Sequence, residues 1–178
     1  SDFEAFLCRA SVKILLKDLE EVMDDYKQAE KLGASNLELI SLKIDLSLAN
    51  EETYEAIENL TQYIEVYDSS SYSVTHAFLS LHRRYLSSYF FRANCYEKIG
   101  NYEYAIDDLT SFIDIAKDDF TLEESTYLLN KQKSEILYES YIKIAELNYK
   151  LEKYNDSIAA YNCLLAIVKD LNQISFLR

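Results

Sequence analysis

Groups able to act as nucleophiles, bases or metal ligands are thinly spread along this sequence. Its two histidines, His76 and His82, stand six positions apart, whereas side chains that share a helix face recur at three, four or seven. That spacing supports neither a metal pair nor an acid–base couple, and ordinary surface or half-buried positions account for both. Cys8, Cys95 and Cys163 are widely separated, with no Cys-x-x-Cys and no histidine at ligand spacing. Serines are common, yet nothing positions a base beside any of them. With only two glycines, Gly33 and Gly100, there is no glycine-rich phosphate loop. The expectation is no catalytic residue, no metal site and no cofactor. A protein that is not an enzyme is expected.

Two charged features have a functional and a plain reading. The acidic run Asp18, Glu20, Glu21, Asp24 and Asp25 could hold Ca²⁺ or a basic peptide, but it lacks the spacing and glycine of a calcium loop. A solvated helix face is the expected role. Arg83, Arg84 and Arg92 could grip a partner's carboxylate, and salt bridges to nearby acids are the plainer expectation. Sixteen tyrosines suit interfaces, since each offers a large contact area and a polar tip. Packing between helices is the expected role of Tyr96, Tyr102, Tyr154 and Tyr161.

These residues need elements to carry them, and composition says which. The 178 residues include no proline, so nothing forbids long uninterrupted helices. The formal net charge is −13. Residues 1–70 hold sixteen acids and six bases, the remainder fifteen and twelve. Such a field repels phosphate backbones, which argues against nucleic acid; it would also draw basic partners toward the N-terminal part, with solubility alone the plainer reading. Neither uncharged run, 69–82 nor 157–168, reaches the roughly 20 apolar residues that span a bilayer. No membrane segment or signal peptide is expected. Dispersed thiols point to a reducing intracellular compartment, cytoplasmic or nuclear. The chain opens on Ser1, as a domain cut from a longer protein would.

Apolar residues recur with helical period throughout. Ala56, Ile57, Leu60, Tyr63, Ile64 and Tyr67 form one stripe. Ser35 and Glu38 have capping-box spacing ahead of a helix, as do Thr121 and Glu124. Turn signals fall at 31–35, 49–51, 67–71, 99–101, 117–120 and 151–153. Long helices are expected from about Val74 to Ile99 and from Thr121 to about Leu151.

A pattern repeats within this all-helical reading. Tyr89, Ala93 and Tyr96, the turn Gly100-Asn101-Tyr102, then Ala105 and Leu109 resemble the tetratricopeptide repeat. A second copy has Tyr141, Ala145, Tyr154, Ser157 and Tyr161. Fainter copies have Ile40, Ile44, Ala56 and Leu60, and Phe6, Ala10, Val22, Tyr26 and Ala29. Small residues at such places let paired helices approach closely. Ala93 is expected to face Ala105, and Ala145 to face Ser157. The steps Ala10 to Ile44, Ile44 to Ala93 and Ala93 to Ala145 are 34, 49 and 52 residues. The first is the family's period.

The resemblance implies an all-α, right-handed solenoid of about four helix hairpins in one domain, 1–178. Its repeats would span 3–36, 37–70, 86–119 and 138–171, with inserts at 71–85 and 120–137. The inserts would lengthen the first helices of the last two repeats and make them protrude. Arg92 departs from the family, which has an apolar residue there. The family's first helices line a groove that accepts a peptide or helix, and by register the groove residues would be Asp45, Phe90, Asn94, Lys98, Lys143 and Glu146. The implied function is a scaffold or adaptor for a protein or peptide partner. The alternatives are a structural subunit using the long helices, a chaperone-binding clamp and, last, a helical enzyme or small-molecule regulatory domain. The clamp is disfavoured because Leu7, Ser11 and Leu42 replace the polar residues that would hold a terminal carboxylate.

Overall fold

A computed structural model describes the backbone of residues 2–70, 76–118 and 127–176, and the side chains of 2–70, 81–117 and 135–166. The described residues form eight helices and no strand. They are α1 (Asp2–Leu15), α2 (Val22–Lys31), α3 (Asn36–Ala49), α4 (Thr53–Asp68), α5 (His76–Lys98), α6 (Tyr102–Asp118), α7 (Tyr127–Lys150) and α8 (Tyr154–Phe176). The chain divides into two compact units, Ser1–Ile99 and Gly100–Arg178. In the first, α1 packs on α2 and α3, and α4 packs on both α3 and α5. In the second, α7 packs on α6 and α8.

The start of α3 is the expected capping box. Glu38 N–H donates to Ser35 Oγ at 3.3 Å, and Ser35 N–H donates to Glu38 Oε2 at 2.8 Å. Two of the orphan amides at this helix start are thereby satisfied. Thr121 and Glu124, the other box, lie outside the described residues.

Helix ends share one device. Lys17, Glu51, Gly100 and Glu152 all have left-handed backbone, with φ of 58°, 60°, 80° and 60°. A left-handed residue lets the next amide turn back to a carbonyl of the last helical turn. Those closing bonds are Asp18 N–H to Lys13 O at 2.9 Å, Glu52 N–H to Ser47 O at 2.9 Å and Lys153 N–H to Asn148 O at 2.8 Å. Only one of the four residues is glycine, the usual occupant of this conformation. The bend after α1 was therefore not legible: Leu16-Lys17-Asp18-Leu19-Glu20-Glu21 has no glycine, asparagine or proline.

These left-handed residues keep step with the small buried ones. Each comes seven positions after Ala10, Ile44, Ala93 or Ala145, and all four of those side chains are buried. Five positions further on stand Val22, Ala56, Ala105 and Ser157, also buried. Backbone conformation and burial thus repeat at the same 34, 49 and 52 intervals as the side-chain pattern. Ala93 belongs to the first unit and Ala105 to the second, and each is enclosed there.

The core of the first unit starts with Ala10, Ile14, Val22 and Leu42, against which Leu7, Leu19, Tyr26, Leu46 and Ala49 pack. Burying a side chain of Leu or Ile size stabilises by about 1.5–3 kcal/mol, so this cluster anchors α1 to α2 and α3. Beyond it, α4 and α5 meet along a tyrosine seam. Tyr63 donates its hydroxyl to Leu81 O at 3.1 Å, and Tyr67 shares a 2.8 Å hydrogen bond with His82 Nδ1. Tyr67 stacks on Tyr85 with centroids 4.2 Å apart, and Tyr85 meets Tyr89 edge to face at 5.4 Å. Burial pushes the Tyr85 hydroxyl up from its ordinary range, and its hydrogen bond to Tyr89 adds to this.

The long helices are present: α5 and α7 have 23 and 24 residues, against 14 each in α1 and α3. The expected protrusion needs correction where α5 is described. Residues 81–85 of the extension pack on α4 and α3 through Leu81, His82, Arg84 and Tyr85. Tyr63 and Tyr67 on α4 offer those added turns a surface, so residues 81–85 lie against it.

Candidate functional site

Register equates Ser11, Asp45, Asn94 and Glu146: each follows the buried small or branched residue of its helix. In the first unit Ser11, Asp45 and Asn94 are half-buried, and in the second Glu146 is exposed. On α1, α3, α5 and α7 alike, this polar residue reaches solvent directly beside a buried one. On α5, Phe90, Asn94 and Lys98 follow at i, i+4 and i+8 and share one face. Phe90 is buried and edge to face with Phe91 at 6.2 Å, so it is wall and not contact surface. Lys98 is exposed in the last turn, where a cation also suits the helix dipole.

Asn94 has one enclosed atom, Oδ1, that accepts no hydrogen bond from the described residues. Rotating this amide toward a ligand would break no internal bond at that oxygen. Such an amide presents one acceptor and two donors, which matches the alternating groups of a peptide backbone.

Asp45 is differently placed. Arg84, from the extended start of α5, donates to its carboxylate and, at 2.9 Å, to Ser41 O. The first-unit residues named from the sequence therefore include one acid that already holds a cation. This fits the plainer reading of Arg84. Arg92 likewise donates to Thr61 Oγ1 on α4 at 2.9 Å. In the second unit, Lys143 is half-buried and Glu146 exposed on α7. They lie three positions apart on that helix.

In the acidic run Asp18, Glu20, Glu21 and Asp24 are exposed, as a solvated face requires, and only Asp25 needs correction. Asp25 is buried under Arg9, whose Nε lies 3.0 and 3.1 Å from its two oxygens, and Lys13, whose Nζ lies 3.2 Å away. The Arg9 hydrogen bond holds the Asp25 carboxyl below its ordinary range, against the opposing effect of burial. Glu21 receives Lys13 at 2.9 Å, which lowers its pKa too. Asp25 is thus a structural link between α1 and α2, not part of a solvated face.

Among the described residues, no group of three or more His, Cys, Asp or Glu is placed to hold a metal ion, and no helix is long and apolar enough to cross a membrane. Cys95 is buried, with its thiol pushed up by desolvation, while Cys8 and Cys163 are exposed. His76 lies in α5, with its side chain outside the described residues. Tyr96 and Tyr102 are half-buried, in keeping with packing roles. Tyr161 is exposed instead, and Tyr154, though also exposed, meets Tyr149 of α7 edge to face with ring centroids 5.6 Å apart. Comparison with protein-family models, curated proteins and solved structures returned no match.

Proposed function

We propose that the chain is a tetratricopeptide-type stack of helix hairpins that serves as an adaptor, binding a helix or extended peptide of a partner protein. The observation that carries this reading is the polar register Ser11, Asp45, Asn94 and Glu146, each directly after a buried residue of a first helix. Within each unit, packed helices bearing hydrogen-bonding groups at this register suit recognition of a polypeptide. The recurrence of left-handed caps at Lys17, Glu51, Gly100 and Glu152 supports the repeat, since it is a backbone feature separate from the side-chain pattern. In this reading Asp45, Asn94 and Lys98 contact the partner in the first unit, Phe90 backs them, and Lys143 and Glu146 contact it in the second. A basic partner fits the acidic N-terminal part best.

Affinity purification of the tagged protein, with mass spectrometry of what it retains, tests this. Asn94→Ala combined with Lys143→Glu is expected to release the retained partner while circular dichroism stays unchanged. Retention of the same partner by that variant would overturn the reading.

A further inference from the structure

The outer flank of α8 is an apolar stripe open to solvent. Tyr154, Ile158, Tyr161 and Leu165 follow at i, i+4, i+7 and i+11 and are 53%, 59%, 42% and 56% exposed. Register shows what such a stripe does elsewhere in the chain. Its equivalents on α4 are Thr53, Ile57, Leu60 and Ile64, and on α6 Tyr102, Ile106, Leu109 and Ile113. Leu60, Ile64, Leu109 and Ile113 are all buried. Each of those helices is packed by the helix that follows it, α4 by α5 and α6 by α7.

The covering helices have a register of their own. In α3, α5 and α7 the residues five before and two after the reference position are Leu39 and Leu46, Ser88 and Cys95, Ser140 and Leu147. All are buried except Leu46, which is half-buried. On α1 the same two places are Ala5 and Val12, and both are exposed, Val12 at 53%. Leu15 and Leu16 continue the exposed apolar edge. Among the described residues, α1 therefore exposes a face of the covering type and α8 a face of the covered type.

We infer that the α8 stripe is a self-association site whose occupant is α1 of a second copy of this chain. The chemistry is the same as inside each unit: small or branched residues of a first helix set against the large apolar residues of a second. The two surfaces are different, so the contact is heterologous and adds copies in an open series unless rotation closes it. The inference stands on burial and register, not on the partner-binding reading.

Analytical ultracentrifugation of the 178-residue chain from micromolar to millimolar concentration tests it. The expected result is a mass that rises with concentration past that of a dimer. Val12→Glu and Ile158→Glu each change an exposed residue, and each alone is expected to give the monomer mass throughout. Mixed in equal amounts, the two variants are expected to form a 1:1 dimer and nothing larger, since each retains the face the other lacks. That dimer also certifies that both variants are folded. A wild-type chain that stays monomeric would overturn the inference. So would association that survives Val12→Glu, which would mean that α8 meets α8, or a variant mixture that stays monomeric.

Discussion

Ser157 on α8 donates its hydroxyl to the carbonyl oxygen of Ala145 on α7 at 2.8 Å, and both residues are buried. A side chain as short as serine reaches a neighbouring helix's backbone only where the two helices lie close together. The bond joins the two residues that the repeat pattern expects to face each other in the second unit. Ser157→Ala is expected to cost about 1 kcal/mol, the value of one buried hydrogen bond. Ala145→Leu forces extra methylenes between the helices and is expected to cost about 1–3 kcal/mol. Urea unfolding followed by circular dichroism measures both, and equal small effects from the two would contradict the close approach.

The Asp25 link sets an acid limit on the α1–α2 pair. Its pKa is lowered from 3.8, so the folded state binds this proton less readily than the unfolded chain does. The resulting stability is present above the unfolded value and is lost as pH falls through the lower, folded one. Asp25→Asn should flatten the loss of stability between about pH 5 and pH 2. Thermal midpoints measured across that range decide it: an unchanged slope would mean that Asp25 is not ion-paired in solution.

The left-handed caps lend themselves to repair. Lys17, Glu51 and Glu152 carry side chains in a conformation that suits glycine. Lys17→Gly and Glu51→Gly are each expected to stabilise by about 0.5–1 kcal/mol. Gly100→Ala, at φ 80° with no neighbouring atom in the way of a methyl group, should destabilise through backbone strain alone, by about 1 kcal/mol. Thermal melts that move in the opposite directions would mean those backbone angles are wrong.

Tyr63 fixes the seam between α4 and α5. Removing only its hydroxyl, in Tyr63→Phe, leaves its bond to Leu81 O unmade and should cost about 1 kcal/mol. Tyr63→Ala opens a cavity in a fully buried site and should cost about 3–5 kcal/mol. Chemical denaturation separates the two, and near-equal values would place the ring outside the core.

Much of the helix layout was legible from local chemistry. Gly33, Asn50, Gly100 and the Ser35–Glu38 box mark boundaries by backbone freedom or capping, and the helices begin and end there. The break after α1 was hidden, because Lys17 adopts its left-handed backbone through the bonds that close the turn and not through a residue type that favours it. Arg84 and Asp45 are 39 residues apart, and no local spacing records which acid a distant arginine will find. Tyr154 and Tyr161 follow the packing pattern in type, yet their burial depends on whether another helix lies over α8. A residue's type states what it can pack against, while topology decides whether anything is there.

The partner-binding face can be mapped directly. With the chain labelled in ¹⁵N and its captured partner peptide added stepwise, amide shifts should move most at Asp45, Asn94 and Lys98, with Lys143 and Glu146 following in the second unit. Shifts that gather on Tyr154, Ile158 and Tyr161 while Asn94 stays still would contradict the account.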